Sequence, residues 1–355
     1  MFRLRYGILP DGNAPFDPQN EFTHRNLLYT ARSIDEIAQM TGGPAAEVAA
    51  ALARARAALL ALRAARPRPH LDDKILTAWN GLMIAAFARA ARVLDEGESY
   101  LADAVRAAGF VRARLWRASD ETLLRRFRQG DAAVEAYAED YAYLIFGLLE
   151  LVQADGDPQW LEWALTLQRR LDERFWDPVD GGWYSTTGKD ASVLLRLKEE
   201  YDGAEPAASS VAVLNLLTLS HLTGDEAMAD KVNRTLAMFG GSAAMRGRAA
   251  PMMLAALSTY HAGMPQIVLA GERDASDTRA LAALVRGRYL PAAVVVPVTG
   301  ARQEALARLL PWTAALTQRG GRATAYVCRD FACQAPATSP DDLDAQLTEL
   351  SSRVG

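Results

Sequence analysis

Four stretches of this chain are apolar on nearly every side of a helix. They are 81–94 (GLMIAAFARAARVL), 141–154 (YAYLIFGLLELVQA), 209–222 (SSVAVLNLLTLSHL) and 250–262 (APMMLAALSTYHA). Such helices need burial all round. Each of the first three is followed by a short polar turn (DEGES, DGDP, TGDE) and then by an amphipathic helix: YLADAVRAAGFVRARLW, QWLEWALTLQRRLDERFW and AMADKVNRTLAMF. The alternation predicts helical hairpins with the apolar helix inside and the amphipathic helix outside. Acidic clusters at Asp73, Asp140 and Glu205 mark a period of about 65 residues. Inner helices that are apolar all round favour a toroid over an open solenoid, where both helices of a pair would stay amphipathic.

The connections are unequal. Turns from inner to outer helices are short, whereas 117–139 and 177–206 are long and both precede inner helices. One mouth of the toroid is therefore rich in loops, which is where sites usually sit. The inner-helix N-termini also aim partial positive charge into that mouth. Within the second long connection, GGWYSTT and SVLLRLK flank a Gly-Lys-Asp turn and predict a β-hairpin. Upstream, 1–43 reads as a loop-rich lead-in with a short helix capped by Ser33 and Glu36. Residues 44–263 read as the helical hairpins, beginning with a strong helix over 43–65. From residue 264 to 355 the grammar changes: PQIVLAG, AAVVVPV and ATAYVC alternate with helical segments, which predicts a small α/β unit. Its strands are not followed by Gly-x-Gly-x-x-Gly, so a dinucleotide site has no support.

Composition narrows the function classes. A net charge of −4 gives no support to nucleic-acid binding, and arginines beside Ala and Leu read as solvated helix stripes. No apolar run is long enough for a membrane span, and no secretory leader pattern follows Met1. The expected compartment is a reducing cytoplasm, and two cysteines in 355 residues exclude a disulfide framework. Cys328 and Cys333 could pair, although such a compartment disfavours a permanent bond. No His-x-x-x-His pair or Cys/His cluster suggests a metal, and no cofactor is expected.

The candidate chemistry is carboxylate chemistry at the loop-rich mouth. Asp73, Asp140, Glu205, Asp202 and Glu139 are the acid/base candidates, since glycoside hydrolysis needs one carboxylic acid and one carboxylate. Asp72, Lys74, Asn80, Tyr137, Tyr201, Arg196 and His70 are candidate binding residues, with Trp79 and Trp183 as platforms for a sugar ring. The bland readings stand beside these: Asp72 and Asp73 as helix caps, Trp79 as core, and 196–205 as a solvated charged loop. Epimerisation through two histidines is poorly served, because only His70 is placed for this mouth.

The strings RPHLDDKILTAWNGLMI, EAYAEDYAYLIFGLLELVQADGDPQWLEWA, RLKEEYDGAEPAASSVAVLNLL and AYVCRDFACQAPATSPDDL resemble the thioredoxin-domain-containing family related to spermatogenesis-associated protein 20. The resemblance implies an (α/α)6 toroid similar to six-hairpin glycosidases and N-acylglucosamine 2-epimerases, preceded by a thioredoxin-like domain. This chain has no Cys-x-x-Cys motif, and its YGILPDGN resembles a segment that lies well inside the family's toroid region. Four inner helices also fall short of a closed six-hairpin ring. The expectation is thus a mainly α, incomplete (α/α)6-type toroid followed by a small α/β unit. It would be a fragment, or a chain whose open edge pairs with another protein or with itself. Its function would be carbohydrate-directed, by acid-based sugar processing or by sugar binding. The alternative is a non-catalytic scaffold serving a thioredoxin-like redox partner.

Overall fold

Where the sequence is apolar all round, the chain is helical, and the two middle stretches, 141–154 and 209–222, are buried, whereas 81–94 and 250–262 keep exposed apolar side chains. A computed structural model describes residues 1–95, 97–189, 192–245 and 247–352. Contacts divide them into two units, 1–72 and 73–355.

The first unit holds α1 (Phe2–Arg5), α2 (Ile34–Thr41) and α3 (Ala45–Ala64). Ser33 and Glu36 form the expected capping box on α2. Ile37 of α2 and Val48 and Leu52 of α3 make one small core with Phe2, Leu4 and Tyr6. The expected division at residue 43 falls inside this unit, because the apolar face of α3 packs on α2.

The second unit opens with β1 (Ile75–Leu76) and α4 (Thr77–Val93), followed by α5 (Gly97–Arg114). After β2 (Trp116–Arg117), β3 (Thr122–Arg128) and β4 (Asp131–Glu135) come α6 (Ala138–Asp155), α7 (Pro158–Phe175), α8 (Ala208–Thr223), α9 (Glu226–Met245) and α10 (Pro251–Ala262). Helices α4, α6, α8 and α10 pack side by side in that order, and α5, α7 and α9 back them. This is an incomplete (α/α)6-type toroid. Helices α6 and α8 are buried on nearly every face, as their sequences require. Across them, the amide of Asn215 donates to the Ala142 carbonyl at 2.8 Å.

The closest helix contact is α4 on α6, and two glycines permit it. A Cβ at Gly81 would lie 2.5 Å from the Tyr143 backbone, and one at Gly147 would lie 2.5 Å from the Gly81 carbonyl oxygen.

Both long connections precede inner helices, but the β-hairpin lies in the other one. Strands β3 and β4 pair antiparallel with Arg128 opposite Asp131. Gln129 and Gly130 close the turn with φ of 50° and 86°. That is the backbone a tight two-residue hairpin demands, with glycine where it is needed most. The hairpin expected over 181–198 has no strand among its described residues, and Asp190 and Ala191 of its turn lie outside the described residues. A single backbone bond, from the Ser185 N–H to the Leu197 carbonyl at 2.8 Å, links the two arms, and side chains supply the rest. Arg196 Nε donates to the Thr186 carbonyl at 2.9 Å, and Lys198 Nζ donates to that of Gly181 at 2.7 Å.

The α/β part comprises β5 (Gln266–Ala270), α11 (Ser276–Arg286), β6 (Val294–Val298), α12 (Gln303–Leu309), β7 (Thr324–Arg329), β8 (Ala332–Cys333) and α13 (Pro340–Ser352). Its sheet order is β6-β5-β7-β8, with β5 and β6 parallel and β7 antiparallel to both of its neighbours. The β5–α11 corner reads Gly271-Glu272-Arg273-Asp274 and carries no Cys-x-x-Cys. Side chains alternate along the sheet. Ile267, Leu269, Ala325 and Val327 join α11 and α13 in one core, while Val268, Ala270, Tyr326 and Cys328 join the helical arc in another.

The glycine contact generates a stability prediction. Gly81→Ala or Gly147→Ala is expected to cost about 2–3 kcal/mol, because neither backbone can move aside cheaply. Gly109→Ala in α5, where a Cβ meets open space, is expected to gain about 0.5–1 kcal/mol. Urea unfolding checks this: similar small changes at all three positions would contradict it.

Candidate functional site

The N-terminal ends of α4, α6 and α8 meet the long connections. Asp140 sits in the first turn of α6 with no exposed surface. One of its oxygens accepts the Ala78 N–H of α4 at 3.1 Å. The other accepts the Tyr137 N–H at 2.9 Å and Arg125 Nη1 at 2.8 Å. Asp140 therefore fastens α4, α6 and β3 together. Burial pushes its carboxyl up to about 6, against the pull of Arg125 and the Tyr137 N–H.

Arg125 also reaches Glu139 at 2.8 Å and lies over the Tyr137 ring, 4.6 Å from its centre. Trp79, 58% exposed on α4, donates its indole N–H to Glu205 at 2.8 Å, which joins the first inner helix to the loop before α8. Glu199 completes the group. Its carboxyl is raised, by burial first and then by the charges of Glu139 and Glu205. The Tyr143 hydroxyl donates to the Pro206 carbonyl. Burial raises it, and the charges of Glu205, Glu139, Glu199 and Asp202 raise it further. Four carboxylates thus act on the buried Tyr143, one of them, Glu205, holding the exposed Trp79 ring.

Other sequence candidates have different places. Asp73 lies ahead of α4 rather than within it and pairs with Arg128. It is therefore not the counterpart of Asp140, which stands inside the first turn of its helix. Asp202 is buried and accepts the N–H groups of Ala207 and Met252, both at 2.7 Å, so it caps α10. Trp183 is 1% exposed and donates to Asp172 at 2.9 Å, so it is core and offers no ring face to a ligand. Arg196 lies over Tyr184, 4.0 Å from the ring centre. The Asn80 amide donates to the carbonyl of Leu76, the residue just before its own helix, at 2.8 Å. Tyr201 and Lys74 are exposed, and His70 and Asp72 belong to the first unit.

Arg125 was not among the sequence candidates. Arg125 was hidden because 117–139 read as loop. Alternation in TLLRRFR before Gln-Gly was the signal that could have found it. Among the described residues no cluster of three or more His, Cys, Asp or Glu could hold a metal ion, and no helix is long and apolar enough to cross a membrane.

Comparison with known proteins finds relatives along nearly the whole chain. The chain is 36% identical to spermatogenesis-associated protein 20 of Homo sapiens over 97% of its own length and 45% of that protein. The Mus musculus protein gives 35% over the same shares. This chain is a homologue of spermatogenesis-associated protein 20. An uncharacterized Caenorhabditis elegans protein, B0495.5, is 29% identical over 92% of this chain and 45% of its own. The chain thus spans about half the length of the curated relatives it matches. No protein-family model matches it. Among solved structures it is similar to a cellobiose 2-epimerase from Spirochaeta thermophila, with TM-score 0.38, 18% identity, and 47% of this chain and 43% of that one covered. It is also similar to a GH76 α-mannanase of Bacteroides thetaiotaomicron, with TM-score 0.38, 16% identity, and 49% and 45% covered.

The raised Asp140 carboxyl makes stability depend on pH. Its folded value, about 6, exceeds the ordinary 3.8, so the folded chain holds the proton more tightly. The parent is therefore expected to lose stability relative to Asp140→Asn as pH rises from about 4 to about 6. Unfolding free energies across that range would show it, and parallel curves would contradict it.

Proposed function

We propose that the mouth binds a neutral, polyhydroxylated ligand of the carbohydrate class, and that Glu199 serves there as a proton donor. The supporting observation is the exposed Trp79 ring held by Glu205 at 2.8 Å, with Glu139 and Tyr137 gathered on Arg125 at the end of the neighbouring inner helix. Carboxylates only accept hydrogen bonds at neutral pH, and sugar hydroxyls donate them. An indole face stacks on the C–H face of a pyranose. Arg125 is already shared by Glu139 and Asp140. The mouth therefore carries an excess of negative charge, which disfavours phosphorylated or acidic sugars. The raised Glu199 carboxyl suits proton donation to a leaving oxygen, and Glu139 or Glu205 suits the partner carboxylate role. Asp140 has no free oxygen in this arrangement, so its role is positioning.

Melting curves with a panel of neutral mono- and disaccharides test the reading, alongside sugar phosphates. At least one neutral sugar is expected to raise Tm, and phosphates are expected to have little effect. Trp79→Ala and Glu205→Gln, both at exposed positions, are expected to weaken binding on the order of tenfold, equivalent to about 1.4 kcal/mol. If no neutral sugar responds, the scaffold reading gains over this one.

A further inference from the structure

The Cys328–Cys333 pair lies outside the mouth and has no part in its chemistry. The two residues oppose each other in the β7–β8 register and are joined by a disulfide. Cys328 is 1% exposed and faces the core of the helical arc, whereas Cys333 is exposed on the two-residue edge strand. The bond braces a turn of Asp330 and Phe331, with φ of 49° and 63°. Residues that carry a Cβ resist this left-handed backbone.

The tip of this hairpin touches the ends of two inner helices. The Phe331 ring meets Trp312 edge-on at 5.7 Å and lies against Gly224, just past α8. Trp312 donates its indole N–H to the Leu222 carbonyl of α8 at 2.7 Å. Arg329 donates to the Ala262 carbonyl at the end of α10, at 3.5 Å. Beyond the disulfide the sheet has its own bonds. Gln334 N–H donates to Val327 at 2.9 Å, and Ala325 and Ala337 exchange two bonds at 2.8 and 2.9 Å. Cutting the disulfide therefore leaves the sheet paired and releases the tip, residues 329–332.

We propose that the Cys328–Cys333 disulfide is a thiol–disulfide exchange site for a dithiol reductant, and that its redox state sets how the hairpin tip grips α8 and α10. A thiolate of the dithiol attacks the exposed Sγ of Cys333. The Cys328–Cys333 bond breaks, and Cys328 leaves as a thiolate that takes up a proton. The second thiol of the reductant then attacks its own sulfur in the mixed disulfide and releases Cys333 as a thiol. The protein gains two electrons and two protons, and the dithiol becomes a disulfide. Attack falls on Cys333 because Cys328 is shielded. Without the covalent brace the strained turn relaxes, and Phe331 moves off Trp312.

The test uses the full chain, without denaturant, and dithiothreitol as the dithiol. Before reduction, iodoacetamide is expected to label neither cysteine. After reduction it is expected to label Cys333 first and Cys328 more slowly, by peptide mass. Far-UV circular dichroism is expected to stay constant while tryptophan emission changes, and the emission change is expected to vanish in Trp312→Phe. Cys333→Ser is expected to show the reduced emission and no response to reductant. Labelling of both cysteines before reduction, or reduction only under denaturing conditions, would overturn the exchange site. Reduction without a Trp312-dependent change in emission would overturn the coupling to the tip.

Discussion

Everything at the mouth depends on how closely α4 can approach α6. Two backbones meet where Gly81 faces Tyr143 and Gly147 faces the Gly81 carbonyl, and no side chain fits between them. Only at that separation can the Asp140 carboxylate of α6 accept the Ala78 N–H of α4. The same carboxylate takes Arg125 from β3, which in turn holds Glu139 and covers Tyr137. A packing constraint between two glycines thus becomes the position of a charged group several residues away.

The mouth combines two opposing electrostatic effects. Helix N-termini carry partial positive charge and favour carboxylates nearby. Several carboxylates in one place repel each other, and burial penalises their charged forms. Asp140 has two N–H groups and a guanidinium to offset its burial. Burial still raises Asp140, and on the loop burial and the charges of Glu139 and Glu205 raise Glu199 as well, so both the anchor and the loop acid hold a proton more tightly than a free carboxyl. A rigid anchor buried between helices and a titratable acid on a loop above it is a division of labour suited to binding and proton transfer.

Most of the architecture was legible because burial writes itself into periodicity. The helices over 141–154 and 209–222 are apolar on all faces, and no exposed position could hold them. The strand-and-helix alternation after residue 264 was equally clear. The position of the β-hairpin was not. GGWYSTT and SVLLRLK have strand-like side chains, but their partners are single backbone carbonyls rather than a ladder. The Gln129–Gly130 turn was the stronger local signal. The site was half legible. Trp79 meets Glu205, and Glu139 and Tyr137 meet on Arg125, all at the inner-helix ends where the sequence clusters acids and aromatics. Asp73 and Trp183 do not, because an acid before a helix and an acid within its first turn point to different places, and a tryptophan after Gly-Gly can as well be core as platform. Arg125 required knowing that its segment was a strand.

The central claim is that the exposed indole of Trp79, tethered to Glu205, forms one wall of a pocket for a neutral sugar. Following the seven tryptophan indole N–H signals by NMR during a titration with neutral saccharides tests it most directly. The Trp79 signal is expected to shift and saturate, while those of the buried Trp183 and Trp160 stay fixed. A titration in which the Trp79 signal does not move would contradict the claim.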